Sequence, residues 1–344
     1  MIKIRQAQYD DIPKIMNFID EHWKKGHIMG NDRTMFEFQH VRNKEVFYII
    51  AEDDTDGTIY GSMGYIPMAE HEWPCMSTVM IQSLKNPENR ILGQEMSQYF
   101  AKNMHCYNLF SVSIEKRYAA AISAMGGFIG KLNHYYRLGK NRDFKIAKIA
   151  HYKKIPVMDM GGKLIPLKTF SEFTSLVDLN EIHHTYPRRT PAYIEHRYYQ
   201  HPYYEYKLCG IQGKQGIRSV LVAREEFAEG ACALRIVDFL GRDEELSLAG
   251  KALDKVIIQG DYEYIDFYCY GIENSILQDA GFSLRDDKDE NIIPNYFDPF
   301  ERKNVDINFH SWFSSGIHVY RGFGDQDRPN HAINRKKKFL TPYN

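Results

Sequence analysis

The feature that most constrains the fold is an order of predicted elements that occurs twice along the 344 residues. Alternating apolar residues predict strands, and apolar residues three or four apart predict helices. The first series comprises a strand (2–7), two helices (12–19 and 34–41), a hairpin (47–66) and a strand (77–83). It continues with a helix (91–103), a strand (109–114), a helix (118–125) and a strand (128–138). The second series is predicted over 191–200, 206–211, 219–224, 234–239, 244–259, 264–270, 272–280, 297 and 317–320. This internal repeat indicates two units of one kind.

Domain boundaries are predicted from chain length and from proline. Because domains usually contain about 100–200 residues, the length predicts two of them. Prolines at 156, 166, 187 and 191 place the junction between the two series. The predicted division is an N-terminal domain over 1–140, a linker over 141–190, a C-terminal domain over 191–334 and a solvated basic tail over 335–344.

Charge and cysteine content exclude several classes of protein. The chain has 44 Lys and Arg against 45 Asp and Glu, and this near-neutral balance argues against broad binding of nucleic acid or of an anionic membrane. Its five cysteines form no Cys-x-x-Cys pair, so neither a zinc site nor a disulfide framework is predicted. The N-terminus lacks the apolar region of a signal peptide, and no apolar run reaches the ~20 residues of a membrane span. We expect a cytoplasmic protein without a bound metal.

A Gly-Phe pair follows a predicted helix in both series, at Gly127-Phe128 and at Gly281-Phe282. These pairs and the order of elements resemble the fold of the GCN5-related N-acetyltransferases (GNAT). The resemblance implies an α/β (α+β) protein with two tandem GNAT-like domains. Each would contain a mixed, mostly antiparallel central sheet flanked by helices.

The chain as a whole also resembles double-domain acetyltransferase-like proteins of bacterial surface-polysaccharide loci. The segments that carry this resemblance are His27–Gly30, Phe36–Gln39, Arg235–Phe239 and Gly324–Asn330. The resemblance implies transfer of an acyl group from acetyl-CoA, or from another acyl-CoA, to a small-molecule amine. The implied acceptor is a nucleotide-linked amino sugar, bound on the side of the C-terminal domain.

The GNAT family binds the pyrophosphate of acetyl-CoA in a loop of pattern Q/R-x-x-G-x-G/A, where backbone N–H groups and a helix N-terminus face the phosphates. The matching place here is Glu88–Glu95. The resemblance implies cofactor binding by Asn89, Arg90, Leu92, Gly93 and Gln94. When the motif is read from Arg90, Glu95 stands where Gly or Ala is expected. The alternative is that Gly93 serves only close packing of the helix.

Acyl transfer to an amine needs a base, an oxyanion site and an acid for the leaving thiolate. Many GNAT enzymes place a tyrosine acid on the helix before Gly-Phe, but Ser123 and Leu277 occupy the equivalent positions here. Tyr118, earlier on the same helix, is the candidate substitute, with an ordinary amphipathic aromatic as the alternative. His71 and Glu72 follow the predicted hairpin and are the candidate bases, with a solvated polar loop as the alternative.

Candidate substrate-binding residues lie in two polar segments. His27 lies between two predicted helices, where the alternative is a packed or capping histidine. Asp325 and Asp327 could bind an ammonium or sugar hydroxyls, and Arg328 a phosphate or carboxylate. The alternative for this cluster is a self-contained turn with an internal ion pair.

Polar residues within two apolar runs of the second series give further candidates. Asp238 is a catalytic candidate that needs a partner if it is buried, and Arg235 is the predicted partner. Tyr268 and Tyr270 alternate with apolar residues, so they share a polar strand face with Asp266. We expect this face to line a substrate cleft.

Three functions stay open at this point. The leading hypothesis is an acyl-CoA-dependent N-acyltransferase acting on an amine. The second is an aminoacyltransferase that uses charged tRNA, similar to the tandem-domain enzymes that build peptidoglycan cross-bridges; a steep salt dependence of binding would favour it. The third is a non-catalytic binding protein that kept the fold. The sequence also leaves a homodimer open.

Overall fold

The structure is a computed structural model. It describes residues 1–70, the backbone of Glu72–Pro74, and residues 91–140, 143–286, 288, 290–324 and 327–331, without the side chains of 117, 118 and 121. The chain forms two compact units. Unit 1 comprises Met1–Ser111, His201–Tyr203 and the chain from Arg328, and unit 2 comprises Val112–Gln200 and Tyr204–Asp327.

The helices and strands of unit 1 follow the predicted first series closely. The helices are α1 (Ile12–His22), α2 (Ile28–Asn31), α3 (Arg33–His40) and α4 (Leu92–Asn103). The strands are β1 (Ile2–Gln6), β2 (Val41–Arg42), β3 (Glu45–Val46), β4 (Tyr48–Asp53), β5 (Ile59–Gly64), β6 (Glu72–Pro74) and β7 (Asn108–Val112). The strand predicted over 77–83 lies outside the described residues.

Unit 1 is built on an antiparallel sheet of order β1-β4-β5 and on the parallel pair β6–β7. Helix α1 buries Ile12, Ile15 and Ile19, whose spacing places them on one face. Phe36 of α3 stacks on Tyr48 of β4 with ring centroids 5.2 Å apart. Burying a side chain of this size stabilises the fold by about 1.5–3 kcal/mol. The spacing of apolar residues thus accounts for the core of unit 1.

Unit 2 contains the remaining elements. Its helices are α5 (Lys116–Ala124), α6 (Phe170–Leu176), α7 (Pro191–Ile194), α8 (Gly250–Gln259) and α9 (Asn274–Asp279). Its strands are β8 (Phe128–Lys131), β9 (Asn133–Leu138), β10 (Lys163–Pro166), β11 (Lys207–Gly213), β12 (Gly216–Ala228), β13 (Ala231–Gly241), β14 (Tyr264–Tyr270), β15 (Ser283–Leu284), β16 (Tyr296–Phe297), β17 (Phe300–Glu301), β18 (Asn308–Ser311) and β19 (Val319–Tyr320).

One large sheet of order β10-β11-β12-β13-β14-β9-β15 organises unit 2. Its strands pair antiparallel except β13 and β14, which are parallel over Leu234–Ile236 and Ile265–Phe267. Beyond this pairing, β19 pairs with the end of β14. Gly322 N also donates to Val237 O of β13 at 2.8 Å. The segment 319–322 therefore lies between the two parallel strands where they diverge.

The predicted α+β class, with mostly antiparallel sheets and flanking helices, is confirmed. Two predicted helices each consist of two pieces: α7 continues as a π-helix over Glu195–Tyr199, and a 3₁₀-helix over Asp243–Ala249 precedes α8. The strand predicted over 128–138 is divided into β8 and β9. Spacing of apolar residues does not distinguish these local variants from a regular helix or strand, which explains the differences.

The main division between the two compact units lies between Ser111 and Val112. The predicted domains were 1–140 and 191–334. Strand β9 lies in the large sheet of unit 2, between β14 and β15. The region predicted as a linker over 141–190 contributes β10 and α6 to the same unit. Two tandem GNAT-like domains therefore stay a prediction. Over the described part of the chain, no helix combines the length and apolarity of a membrane span.

Gly271 provides a test of the packing between the end of β14 and the segment before β19. It follows β14 with a φ of +104°, and a Cβ there would lie 2.3 Å from Ile317 O, beside β19. Gly126 also has a positive φ of +86°, but a Cβ there would meet nothing within 4 Å. We expect Gly126→Ala to lower the free energy of unfolding by about 1–2 kcal/mol through backbone strain alone. Gly271→Ala should lower it by about 1–3 kcal/mol more, because the Ile317 carbonyl must move.

Urea unfolding of both variants, followed by circular dichroism, measures this difference. Equal losses in the two variants would show that the packing of Gly271 against Ile317 does not contribute to the stability of the sheet.

Candidate functional site

The predicted cofactor-binding segment is described only from residue 91 onward, so Asn89 and Arg90 lie outside the described residues. Leu92, Gly93 and Gln94 form the first turn of α4. Leu92 is buried, whereas Gln94 is exposed. Ile91, the residue before the helix, provides no side-chain cap. The first turn therefore keeps backbone N–H groups that a helix cannot satisfy internally, together with the positive end of the helix dipole.

Helix α4 is held by one buried face that begins in its first turn. Met96 and Phe100 are buried with Leu92, at a spacing of four residues. The Phe100 ring packs edge-on against Tyr65, with centroids 5.0 Å apart. In the chain, α4 lies between β6 and the parallel strand β7, and the described residues begin again at Ile91, just before the start of α4. Parallel β-α-β connections commonly bind phosphate groups at this position.

Three predicted catalytic residues, His71, Glu72 and Tyr118, have side chains outside the described atoms. His71 lies outside the described residues, and only the backbone of Glu72 is described, as the first residue of β6. Tyr118 lies in α5, and its side chain is likewise outside the described atoms. Their roles stay predictions.

His27 and Arg328, both predicted to bind substrate, are brought together in unit 1. His27 is buried before α2, and its Nε2 lies 2.7 Å from Arg328 Nη1. Because a guanidinium only donates, Nε2 must accept this hydrogen bond. Burial, assisted by the charge of Arg328, lowers the pKa of His27 to about 2. His27 is therefore neutral at physiological pH, and it tethers the segment around Arg328 to the loop before α2.

Asp238 is completely buried in unit 2, and its partners differ from the predicted one. Oδ1 accepts from Arg189 Nη2 at 2.9 Å, and Oδ2 accepts from Tyr198 OH at 2.6 Å. The predicted partnership with Arg235 is wrong, because Arg189 and Tyr198 occupy both carboxylate oxygens of Asp238 and Arg235 pairs with Asp266. Burial raises the pKa of Asp238, while Arg189 opposes this shift.

Arg235 pairs instead with Asp266, directly across from it on β14. The distance from Nη2 to Oδ2 is 2.8 Å, and both side chains are about 1% exposed. His134 Nε2 lies 3.1 Å from the same carboxylate oxygen, and its ring stacks on Tyr268 at 3.7 Å. Burial raises the pKa of Asp266, but Arg235 and His134 together lower it to about 2. The polar face of β14 predicted to line a cleft is therefore buried at Asp266 and Tyr268.

Tyr270, also predicted to bind substrate, lies at the end of β14 and is half-buried. Its ring contacts Phe128 and Phe309, with centroid distances of 6.1 and 4.9 Å.

Asp327 also lies at the centre of a buried ion network in unit 2. Its Oδ1 is 2.8 Å from Arg224 Nη2 and 3.3 Å from Arg321 Nη1, and its Oδ2 accepts from Tyr206 OH at 2.6 Å. Burial raises the pKa of Asp327, but the two arginines hold it well below its usual range. Both arginine partners lie outside the cluster 324–330, so Asp327 forms its ion pairs with other segments of unit 2 and not within a self-contained turn. Asp325 lies outside the described residues.

A second pair of an acid and a histidine, Asp243 and His318, was absent from the sequence prediction. His318 Nε2 lies 2.7 Å from Asp243 Oδ2, at the ends of β13 and β14. The only sequence signal was an acid two residues after Gly241, at the end of a predicted strand. In the described part of the chain, no group of three or more His, Cys, Asp or Glu side chains could hold a metal ion.

No family model matches the chain, and no curated protein is significantly similar to it in sequence. The structure is similar to a conserved protein of unknown function from Enterococcus faecalis V583, described as a probable N-acyltransferase. That match has a TM-score of 0.52 and 10% identity, and covers 90% of this chain and 72% of the other. A GCN5-related N-acetyltransferase from Anabaena variabilis ATCC 29413 matches with a TM-score of 0.49, 12% identity and the same coverages. The similarity to the Enterococcus faecalis protein is a similarity of fold.

Breaking the buried pair of Arg235 and Asp266 should destabilise unit 2 more than replacing the whole pair. We expect Asp266→Ala to lower the free energy of unfolding by about 3–5 kcal/mol, because it leaves the buried guanidinium of Arg235 with only the longer contact to Glu226 at 3.3 Å. Replacing the pair by Arg235→Met and Asp266→Leu together should cost less, since no unpaired charge remains. Glu301→Ala, which removes the exposed pair with Lys303, should cost under about 1 kcal/mol.

Urea unfolding of the three variants gives these values. A double variant less stable than Asp266→Ala would contradict the account based on an unpaired charge.

Buried histidines should make the protein sensitive to acid. Burial lowers the pKa of both His134 and His310 to about 4. Between pH 6.5 and 4 the unfolded state binds the additional protons, so the free energy of unfolding should fall as the pH is lowered through this range. The expected slope is about 1.4 kcal/mol per pH unit for each such histidine.

Urea unfolding of the wild type and of His310→Gln at pH 7, 6 and 5 tests this expectation. The variant should show a shallower pH dependence by the contribution of one histidine. Parallel curves would mean that His310 titrates normally in the folded protein.

Proposed function

We propose that the protein is an acyl-CoA-dependent N-acyltransferase whose acceptor is an amine. We further propose that the acceptor is a nucleotide-linked amino sugar used in bacterial surface-polysaccharide synthesis. The general reaction class is supported by the similarity of this fold to that of a probable N-acyltransferase. Because one fold can serve several functions, the proposal depends on the site itself.

The observation that carries the proposal is the start of α4 after Arg90, where Ile91 provides no side-chain cap and the described residues show none. This turn follows β6 and contains Gly93, whose lack of a side chain allows close approach of a phosphate group. Arg90 would contribute a planar donor suited to phosphate oxygens. Glu95 is exposed in the first turn, so its carboxylate can face water. We propose that Asn89, Arg90, Leu92, Gly93 and Gln94 bind the pyrophosphate of the acyl-CoA.

In the proposed reaction the acceptor amine loses a proton and attacks the thioester carbonyl, and the thiolate leaves with a proton. We assign proton removal to His71 or Glu72 and protonation of the thiolate to Tyr118. Asp238 has both carboxylate oxygens hydrogen-bonded and is fully buried, so we assign it to holding Arg189 and Tyr198 in place. His27 is a positioning residue for Arg328, which we assign to the anionic part of the acceptor.

Calorimetric titration with acetyl-CoA tests the donor site. The wild type should bind, and Gly93→Trp should weaken binding by roughly tenfold or more, because an indole would occupy the space needed by the phosphates. Lys102→Trp is the matched control, since it places the same side chain on an exposed position at the other end of α4. This variant should bind like the wild type, and thermal unfolding should show all three proteins folded.

If the folded wild type binds neither CoA nor any short acyl-CoA, the proposal fails. Equal binding by Gly93→Trp and the wild type would remove the donor site from the start of α4.

A further inference from the structure

The chain just before β10 forms an irregular surface segment of unit 2 that is packed at two points. Val157 is buried, and its Cγ1 would lie 3.0 Å from a Cβ on Gly250, the first residue of α8. Gly162 lies directly against the carbonyl of Leu248, where there is no room for a Cβ. Residues 157–162, the methionine loop, are therefore held at both ends against the segment in which α8 begins.

Between these two points the methionine loop exposes two apolar side chains. Met158 is 78% exposed and Met160 is 47% exposed. Apart from Met1, no large apolar side chain among those described is more exposed than Met158. The turn between them is fixed, because the Asp159 carboxylate accepts from Gly161 N at 2.9 Å. Single exposed apolar residues are common, but two of them on a loop that is fixed at its ends and at its turn indicate a contact surface.

Exposed lysines lie on the chain segments beside the methionine loop. They are Lys153 and Lys154 before it, Lys163 after it, and Lys251 and Lys255 on α8. Among the described residues, the lysines at 154, 163, 251 and 255 form no ion pair. The only acid in 153–163 is Asp159, whereas the whole chain carries a net charge of −1. The positive charge of this region is therefore local.

Helix α8 combines basic and apolar groups in the same way. Lys251, Lys255 and Ile258 are spaced by four and three residues, so they share one face of the helix, and all three are exposed. Asp254 is the acid of this helix, and it pairs with Arg137 at 2.9 Å. Two adjacent elements of unit 2 thus present lysines together with exposed apolar side chains.

These two kinds of group select one class of partner. Lysines attract negative charge, and exposed methionines gain free energy only where water is removed from them. An anionic lipid surface meets both conditions, because its charged headgroups cover an apolar layer that a loop can reach. A nucleic acid supplies the negative charge, but its bases bind chiefly by stacking on aromatic rings, and the methionine loop contains none.

We propose that the methionine loop and the lysines beside it form a docking surface of unit 2 for an anionic membrane. Met158 and Met160 insert between the lipid headgroups, and the lysines bind the headgroup phosphates. Asp159, which fixes the turn, is the one charge of the loop that opposes binding. This docking requires neither an acyl-CoA nor an amine acceptor, so it does not rest on the proposed function.

Flotation with lipid vesicles, without any acyl-CoA, measures this binding. The wild type should bind vesicles of phosphatidylcholine and phosphatidylglycerol in roughly equal parts at least roughly tenfold more tightly than vesicles of phosphatidylcholine alone. Added salt should weaken this binding, because ions screen the lysines. Met158→Ser combined with Met160→Ser should weaken it by roughly tenfold, since the side chains no longer gain from leaving water.

Two further variants distinguish docking from damage to the methionine loop. Phe227→Ser removes an exposed apolar side chain from β12 and is the matched control, which should bind like the wild type. Asp159→Asn removes the negative charge but keeps an oxygen that can accept from Gly161 N. It should bind the anionic vesicles roughly fivefold more tightly, a gain that a disrupted loop would not produce. Circular dichroism should show that all variants are folded.

Equal binding to both kinds of vesicle, or no binding to either, overturns the proposal. It is also overturned if Phe227→Ser loses as much binding as the double methionine variant, or if Asp159→Asn shows no gain. Binding of bulk tRNA without binding of the anionic vesicles would identify the partner as a nucleic acid instead. Each of these outcomes is separate from failure of acetyl-CoA binding.

Discussion

The ion pair between Arg235 and Asp266 is the interaction on which the interior of unit 2 depends. It joins β13 to β14 where these strands run parallel, and it adds a charged contact to a pairing of only three residues on each strand. The same carboxylate orients His134 on β9. Arg235 also donates to the carbonyls of Pro294 and Asn295. Three strands and one loop are therefore positioned by a single pair of buried charges.

Much of the fold could be predicted because burial has a periodic signature. The apolar face of α1 and the strand β14 were recognised from spacing alone, and β14 was predicted with the bounds it has in the structure. Long-range pairing has no such signature. Nothing in the sequence of β9 indicates that its neighbours are β14 and β15, more than a hundred residues away. The units consequently differ from the predicted domains, although most elements agree.

The site residues were harder to predict, because an isolated polar residue in an apolar run is consistent with both catalysis and an internal ion pair. Asp238, Tyr268 and Asp327 were selected as functional candidates, and the structure places all three in buried networks. Asp243 and His318 were overlooked because they are 75 residues apart and neither lies in a recognisable motif. Only the three-dimensional structure brings such a pair together.

The position of segment 319–322 between β13 and β14 has a consequence for folding during translation. Strand β14 is flanked by β9, which precedes it by more than a hundred residues, and by β19, which follows it by about fifty. During synthesis from the N-terminus, the large sheet cannot be completed until the segment around Tyr320 has left the ribosome. Until then the diverging ends of the two parallel strands expose unpaired backbone groups, which are available to other chains. Unit 2 should therefore be most open to association with other chains in the interval between synthesis of β14 and synthesis of β19.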